Sequence, residues 1–339
     1  MSIVINARFV ARRVTGVERY GREVARRLGE GARWVAPSAR WPGWAGHVWE
    51  QFFLPGAVRG GEVLWSPANT GPLRVRNQVV TIHDLAVLDH PEWFRPGFVL
   101  WYRVMWPLLA RRVRRIITVS AFSAARIRAR LGVAAERVVV ISNGVDTARF
   151  RPAARAQVAR VRRKYALEGA YLLFVGSLQP RKNLSRLLAA WERVRRAVAD
   201  VALVLAGVPG PVFRRQPLGA VPGVRVVGYV PDADLPALYS AALGLVQPSL
   251  YEGSALTALE ALACGCPVLC SNIPALAEVV ADAGLLFDPR DTAGMAGALL
   301  AFLRDGELQE KMRRAGRPRA QRFSWDTTAR QVSNLLHEI

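Results

Sequence analysis

The stretch 248–269 reads Pro-Ser-Leu-Tyr-Glu-Gly-Ser-Ala-Leu-Thr-Ala-Leu-Glu and runs on through Ala-Leu-Ala-Cys-Gly-Cys-Pro into Val-Leu, with Glu252 and Glu260 as its two acids. It begins as loop and becomes a helix near Ser254. Gly265 and Pro267 stop that helix before a short apolar strand. Leu256, Leu259 and Ala263 recur at helical spacing and would face a core, which leaves Glu260 on another face. Between the acids, the helix start offers free backbone N–H groups and partial positive charge, so an anion is favoured there. Glu260 follows Ser254 by roughly 9 Å of rise at about 1.5 Å per residue. That layout suits a long ligand with phosphates in its middle and hydroxyls at both ends, the form of a nucleotide-activated sugar. An acid complementing a helix dipole, with a second acid solvated further along, is the plainer reading of any isolated pair.

Two further stretches could do related chemistry. In 176–183, Gly176 ends an apolar strand, and Arg181 and Lys182 precede the next helix. An N–H cluster, a guanidinium fork and an ammonium can all face one phosphate. The second glycine and the spacing of a P-loop are absent. In 78–85, a buried strand carries His83 and Asp84 at its carboxyl end, the edge where open α/β sheets bind ligands. Histidine occurs only at His47, His83, His90 and His337, and His83 alone stands at a strand tip beside an acid able to orient its ring.

The elements that must position these residues alternate strand and helix in two successive sets. The first set opens with a strand at 3–5, a loop at 6–15 and a helix that begins at Gly16, a glycine that lets backbone approach a phosphate. It closes with the strand and Asn-Gly turn of 138–146. A hinge at 150–154 leads to the second set, whose first strand is 170–176. The expected domains are 1–152 and 153–324, with a final helix at 325–339. Each is a doubly wound α/β sheet, and the pair face a cleft.

Composition bounds the class. The chain has 339 residues, 51% hydrophobic and 22% charged, enough for two cores. Its net charge of +21 comes almost wholly from arginine, since lysine occurs only at Lys164, Lys182 and Lys311. Such charge can attract nucleic acid or an anionic membrane, or simply solvate helix faces. No nucleic-acid reading motif accompanies it, so nucleic acid is not expected as a partner. Cys264, Cys266 and Cys270 lack zinc-site spacing and a nearby histidine, and read as buried free thiols. The first residues enter a strand without a signal-peptide pattern and no apolar run reaches the length of a membrane span, so a cytoplasmic location is expected. The Trp-rich stretch 34–53 offers either an acceptor-side surface or, more simply, loop packing. Residues 93–115 interleave aromatics with arginines, which suits a helix lying on an anionic membrane, or one that packs its aromatics inward.

The stretch 252–268 resembles the Glu-x7-Glu motif of retaining glycosyltransferases with the GT-B fold, family 4. The usual form is Glu-Gly-Phe-Gly-Leu-Pro-x-x-Glu-Ala-Met-Ala-Cys-Gly-Thr-Pro-Val; here Ser254 replaces the Phe, Ala255 the Gly, Thr257 the Pro and Cys266 the Thr. The loop at 176–183 matches the family's Gly-x5-Lys-Asn donor loop, and the His-Asp strand end is a familiar family element. The resemblance covers essentially the whole chain and is most similar to mannosyltransferases of polysaccharide assembly.

What it implies is a metal-independent transfer of a hexosyl group, mannosyl from GDP-mannose before UDP-glucose or a UDP-N-acetylhexosamine, to a glycan or lipid-linked acceptor, with no cofactor beyond the sugar nucleotide. Gly16 would line the diphosphate with Gly176, Arg181, Lys182 and the amides of Ser254, Ala255 and Leu256. Tyr229 and Val230 would meet the base, Glu260 the ribose, and Glu252 the sugar hydroxyls. His83 would sit near the reacting carbon. Residues 93–115 would dock on a membrane. A glycosidase would need its two acids about 5 Å or about 6.5–9.5 Å apart across one sugar, closer than this loop-to-helix layout suggests. A sugar-nucleotide sensor without turnover would keep the same binding residues.

Overall fold

The computed structural model describes residues 2–11, 14–29, 31–38, 41, 44–214 and 219–339. Parts of the loop expected at 6–15 and of the stretch 34–53 therefore lie outside the described residues. The chain forms two compact units. The first comprises Met1–Pro91, Pro96–Gly144 and Ser324–Ile339, and the second comprises Glu92–Arg95 and Val145–Phe323.

In the first unit, β1 (Ile3–Asn6), β2 (Ala32–Val35), β3 (Val63–Ser66), β4 (Gln78–Thr81), β5 (Arg115–Thr118) and β6 (Val138–Val140) form a sheet in the order β2-β1-β3-β4-β5-β6. Its pairings are parallel throughout. Four of these strands are short apolar runs, and Val4, Ile5, Leu64, Trp65, Val79, Val80, Ile116 and Ile117 are wholly buried, as a parallel sheet covered on both faces requires. The helix Gly16–Arg27 starts from a reciprocal cap in which Thr15 and Glu18 bond each other's backbone, and turns Tyr20, Val24 and Ala25 inward.

The last helix, Trp325–His337, belongs to this first unit. Trp325 packs edge-on to Tyr20, Asp326 pairs with Arg27 at 2.7 Å, and the Thr328 hydroxyl donates to the Ser142 carbonyl at 2.8 Å. The expected Asn143-Gly144 turn has a second reason to exist here. A side chain at Gly144 would stand 2.1 Å from the Trp325 backbone nitrogen.

The second unit repeats the architecture with β7 (Ala170–Val175), β8 (Val201–Ala206), β9 (Val224–Gly228), β10 (Gly244–Gln247), β11 (Val268–Ser271) and β12 (Gly284–Phe287), in the order β12-β11-β10-β7-β8-β9. Every pairing given for it is again parallel. Its two faces carry separate cores, one around Tyr171, Leu238, Tyr239 and Leu262, the other around Phe174, Trp191, Leu299 and Phe302.

The passage into this unit comes before the expected 152/153 boundary. Val145 and Phe150 are already part of its core, and the Val145 N–H donates to the Phe323 carbonyl at 3.0 Å. Residues 92–95 also differ from expectation: Phe94 stacks on Phe213 at 5.1 Å and Arg95 donates to Val212 within the second unit.

Packing decides between the readings left open for two aromatic-rich stretches. The helix Pro96–Arg112 buries Tyr102 and Trp106 and half-buries Phe98 and Trp101, because aromatic area is worth most out of water. Its outward residues are Leu100, Val104 and Leu108 among Arg103, Arg111 and Arg112, so the outer face is aliphatic and basic. The described part of the stretch 34–53 divides its aromatics: Trp49 is buried in a core cluster, whereas Trp44 is 78% and Phe52 66% exposed. The three cysteines are free and buried, and burial pushes the Cys266 and Cys270 thiols up to about 12.

Candidate active site

In the second sheet the winding reverses between β7 and β10, so the loops leaving these two strands diverge to opposite faces and open a crevice at their carboxyl ends. The loop after β7 carries Gly176, Arg181 and Lys182; the loop after β10 carries Glu252, Ser254 and Ala255. Hydrogen bonds to backbone carbonyls, one from a backbone N–H and two from the Asn183 side chain, tie these loops down. Leu250 N–H donates to the Arg181 carbonyl at 2.9 Å, and the Asn183 amide donates to Pro248 at 3.1 Å and Pro289 at 2.7 Å. Asn183 itself takes the left-handed conformation, φ 57°, that lets the chain turn from Lys182 into the helix Leu184–Ala197.

Gly207 makes room for this loop. A Cβ there would lie 1.8 Å from the Gly176 carbonyl oxygen. Gly176 in turn lies close to the Lys182 side chain, 3.5 Å from a built Cβ to Cε.

Between the loops, Lys182 Nζ donates to Glu252 Oε1 at 2.5 Å and Arg181 Nη1 to Oε2 at 3.1 Å. Ser249 Oγ and Gln247 Nε2 also donate to Oε1, at 2.6 and 3.3 Å. Glu252 is only 4% exposed. Burial alone would raise its pKa, but Lys182 and then Arg181, with the Lys182 and Ser249 hydrogen bonds, hold it down at about 2. The acid is ionised at neutral pH, and it keeps two cations at the mouth of the crevice.

The helix after this loop spans Leu256–Ala263, starting two residues beyond the expected Ser254. Its N-cap, Ala255, has no side chain to satisfy the first N–H groups. The expectation that Glu260 lies away from the packed face is corrected. Residues Ala258 to Ala263 are all buried, because helices pack around this one on several sides, and Glu260 is 4% exposed with Tyr239 Oη donating to its Oε2 at 3.2 Å. Val230 is buried and Tyr229 43% exposed, just past β9 and the Gly228 turn whose carbonyl accepts from Gly207 at 2.7 Å.

In the first unit, Gly16 begins the helix that carries Tyr20, and the Tyr20 ring meets the His83 ring edge-on at 4.8 Å. His83 follows β4, with its N–H donating to Asn69 Oδ1 at 2.8 Å and its carbonyl accepting from Ser123 Oγ at 3.1 Å. Ring Nε2 lies 2.9 Å from the Pro67 carbonyl. A carbonyl only accepts, so Nε2 carries the proton and Nδ1 the lone pair. Burial lowers the His83 pKa, with the Pro67 bond and Asp84 opposing, and the ring is neutral at pH 7.

The structure thus brings Gly176, Arg181, Lys182 and Glu252 together, sets Ser254 to Leu256 and Glu260 on the adjoining turn and helix, and sets Gly16 and His83 at one edge of the other sheet. Sequence reasoning missed Gln247, Ser249 and Tyr239, whose partners lie on other elements, and Pro67 and Asn69, which hold His83 from the loop after β3. Among the described residues no group of three or more His, Cys, Asp or Glu side chains is placed to hold a metal ion.

Comparison with known proteins places this geometry. The model for glycosyl transferases group 1 matches residues 158–319, and that for Glycosyltransferase Family 4 matches 61–149. The O-antigen chain mannosyltransferase B of Escherichia coli is 34% identical over 270 residues, 78% of this chain and 71% of its own length. The chain belongs to the group 1, family 4 glycosyltransferases.

A D-inositol 3-phosphate glycosyltransferase of Acidothermus cellulolyticus is 30% identical over 333 residues, 89% of this chain and 69% of that one. Glycogen synthase of Mycobacterium tuberculosis is 32% identical over 264 residues, 76% and 62% of the two chains. Among solved structures, sucrose-phosphate synthase from Thermosynechococcus elongatus superposes with TM-score 0.76 at 20% identity over 100% of this chain and 99% of that one. Anabaena HepE with UDP-glucose gives 0.75 at 18% identity over 100% of both chains. At these identities the superpositions establish the GT-B fold of this glycosyltransferase. As its relatives transfer to different acceptors, the family membership fixes sugar transfer and leaves donor and acceptor to be proposed.

Proposed function

We propose that this glycosyltransferase moves a hexosyl group, mannosyl from GDP-mannose, onto a hydroxyl of a glycan or lipid-linked acceptor, with retention at the sugar carbon and without a metal ion. The observation that carries the reading is the Arg181–Lys182–Glu252 cluster at the sheet's switch point. A diphosphate arriving there meets a guanidinium and an ammonium already held in place by an acid. Two such cations can balance the charge that develops on a leaving diphosphate, the task a divalent ion performs in other transferases. The uncapped amides at Ala255 and Leu256 add to that field.

The remaining roles follow from position. Glu252 takes sugar hydroxyls with its Arg181-paired oxygen, Glu260 takes the ribose hydroxyls, and the exposed Tyr229 with buried Val230 meets the base. Gly16 lines the diphosphate, as the corresponding glycine of the resembled family does. His83, neutral and with Nδ1 as acceptor, positions a sugar hydroxyl near the reacting carbon. A phosphate oxygen of the departing diphosphate accepts the acceptor's proton on the face it leaves.

Mannose is preferred as donor sugar because the Escherichia coli relative is a mannosyltransferase. The alternative is glucose from UDP-glucose, the ligand in the HepE structure. For the acceptor, the aliphatic and arginine-flanked outer face of the helix Pro96–Arg112 supports peripheral contact with an anionic membrane on the cytoplasmic side. No helix among the described residues is long and apolar enough to cross one.

A thermal-shift panel of GDP, UDP, GDP-mannose, UDP-glucose and a UDP-N-acetylhexosamine tests the donor. The expected result is the largest shift with GDP-mannose, growing with ligand concentration. Turnover of the stabilising donor, followed with radiolabelled sugar, separates an enzyme from a sensor. A shift with none of the five would overturn the reading.

A further inference from the structure

We infer that Thr257, acting through the buried amide of Gln247, is a positioning residue for Glu252 and aims one chosen oxygen of that carboxylate at the donor. The inference rests on the donor-site reading above and adds to it one residue within the two-acid motif, Thr257, and one before it, Gln247.

Gln247 ends β10 with 2% of its surface exposed, so its amide has no water to fall back on. Thr257 Oγ1 lies 3.1 Å from Gln247 Oε1, and Gln247 Nε2 lies 3.3 Å from Glu252 Oε1. Direction follows from chemistry. An amide oxygen and an ionised carboxylate only accept, so the threonine hydroxyl donates to Oε1 and the amide nitrogen donates to the acid. The carboxylate, which cannot donate, decides which way the amide faces, and the hydroxyl pins the far end of that amide. Without it Oε1 is buried with no donor, and the amide can swing Nε2 away from the carboxylate.

The consequence for Glu252 is an asymmetry between its two oxygens. Oε1 receives Lys182, Ser249 and Gln247, whereas Oε2 receives Arg181. Three donors anchor Oε1, and Oε2 is left as the oxygen that shares its guanidinium with an incoming ligand. Thr257 stands where the family's usual motif has proline, a residue with no hydroxyl to donate. In this chain the substitution supplies a hydrogen bond to Gln247 Oε1 and thereby couples the helix start to the acid through that amide.

The test compares Thr257→Val, which removes the hydroxyl and keeps the shape, with Thr257→Ser, which keeps the hydroxyl. Two readouts are taken on the full chain. The first needs no ligand: the Gln247 side-chain amide proton signals, identified by their loss in Gln247→Leu. They should match in wild type and Thr257→Ser and move in Thr257→Val. Identical Gln247 signals in Thr257→Val overturn the relay, whatever the donor.

The second readout is titration with GDP, UDP, GDP-mannose and UDP-glucose, together with kcat and KM for the nucleotide sugar that turns over. Thr257→Val should lose about tenfold in the preference for nucleotide sugar over its own nucleoside diphosphate, the scale of one hydrogen bond to a charged group, while binding the diphosphate itself within about twofold of wild type. Thr257→Ser should recover that preference. An unchanged preference in Thr257→Val overturns the proposal, as does an equal loss in both variants, which would mark Thr257 as mere packing. If the amide signals behave as expected and wild type binds none of the four probes, the donor-site reading is what fails, and the aim of Glu252 at a sugar fails with it.

Discussion

The two sheet edges hold their key side chains by opposite means. At the switch point of the second sheet, an ionised acid is fastened by an ammonium, a guanidinium, a hydroxyl and an amide. At the edge of the first, a neutral imidazole is held by the Pro67 carbonyl and the Tyr20 ring, while its backbone is held by the Asn69 side-chain oxygen and the Ser123 hydroxyl. One edge concentrates charge that a ligand can take over, and the other fixes a tautomer and excludes charge.

The largest break in this contrast is expected from Glu252→Ala. Lys182, 7% exposed, would lose its carboxylate in a buried site, a change worth about 3–5 kcal/mol of stability. Turnover should fall by about 10²–10³ as the cations lose their placement. Urea unfolding and kcat measured together check it, and a variant with wild-type stability would show that the cluster is not held by this acid.

Gly207→Ala should come next. The added methyl displaces the Gly176 carbonyl, and with it the Arg181–Lys182 turn, so nucleoside diphosphate affinity should drop about tenfold or more while the His83 edge stays intact. Titration with the diphosphate that stabilises wild type measures this. His83→Ala should lower kcat by about 10–100-fold, with a loss that does not grow with salt because the ring carries no charge; matching salt dependence for the Glu252 and His83 variants would erase the distinction drawn between the two edges.

Acid titration separates the edges with the smallest effects. The folded pKa of Glu252, about 2, lies below its ordinary 4.5, so its contribution is complete above the ordinary value and drains as pH falls towards 2. Buried Glu50, where burial is outweighed by Arg8 and His47, is also held at about 2 and drains in the same window. His83 acts higher up. Its folded pKa is below the ordinary 6.5, so the unfolded chain takes up a proton first and stability declines as pH drops from about 6.5. Stability measured from pH 7 to 3 should therefore show an upper limb removed by His83→Asn and a lower limb reduced by Glu252→Gln.

Much of the fold was legible because its signals are local. Short apolar runs, glycine at strand exits and regular alternation gave two parallel sheets and located the loops after β4, β7 and β10. The pairing of Arg181 and Lys182 with Glu252 was not legible, since it depends on β10 lying beside β7, a neighbour relation that periodicity does not encode. Glu260 was misjudged for a related reason: a three-residue stripe was read as the only packed face of a helix that its neighbours surround. The aromatics of 93–115 turned largely inward and those of 34–53 divided between buried Trp49 and exposed Trp44, because tertiary packing chose which rings to cover. Thr257 was visible only as a departure from a motif, and its purpose emerged when Gln247 was found beside it.

The first unit is written discontinuously in the chain. Tyr20, which braces His83, takes one of its walls from Trp325, and Gly144 is shaped to accept that same residue's backbone. During synthesis the amino-terminal sheet must therefore wait, with that wall missing, until the whole second unit and the helix Trp325–His337 have left the ribosome. Loss of the final dozen or so residues would leave the second unit intact, joined to a first unit without that wall.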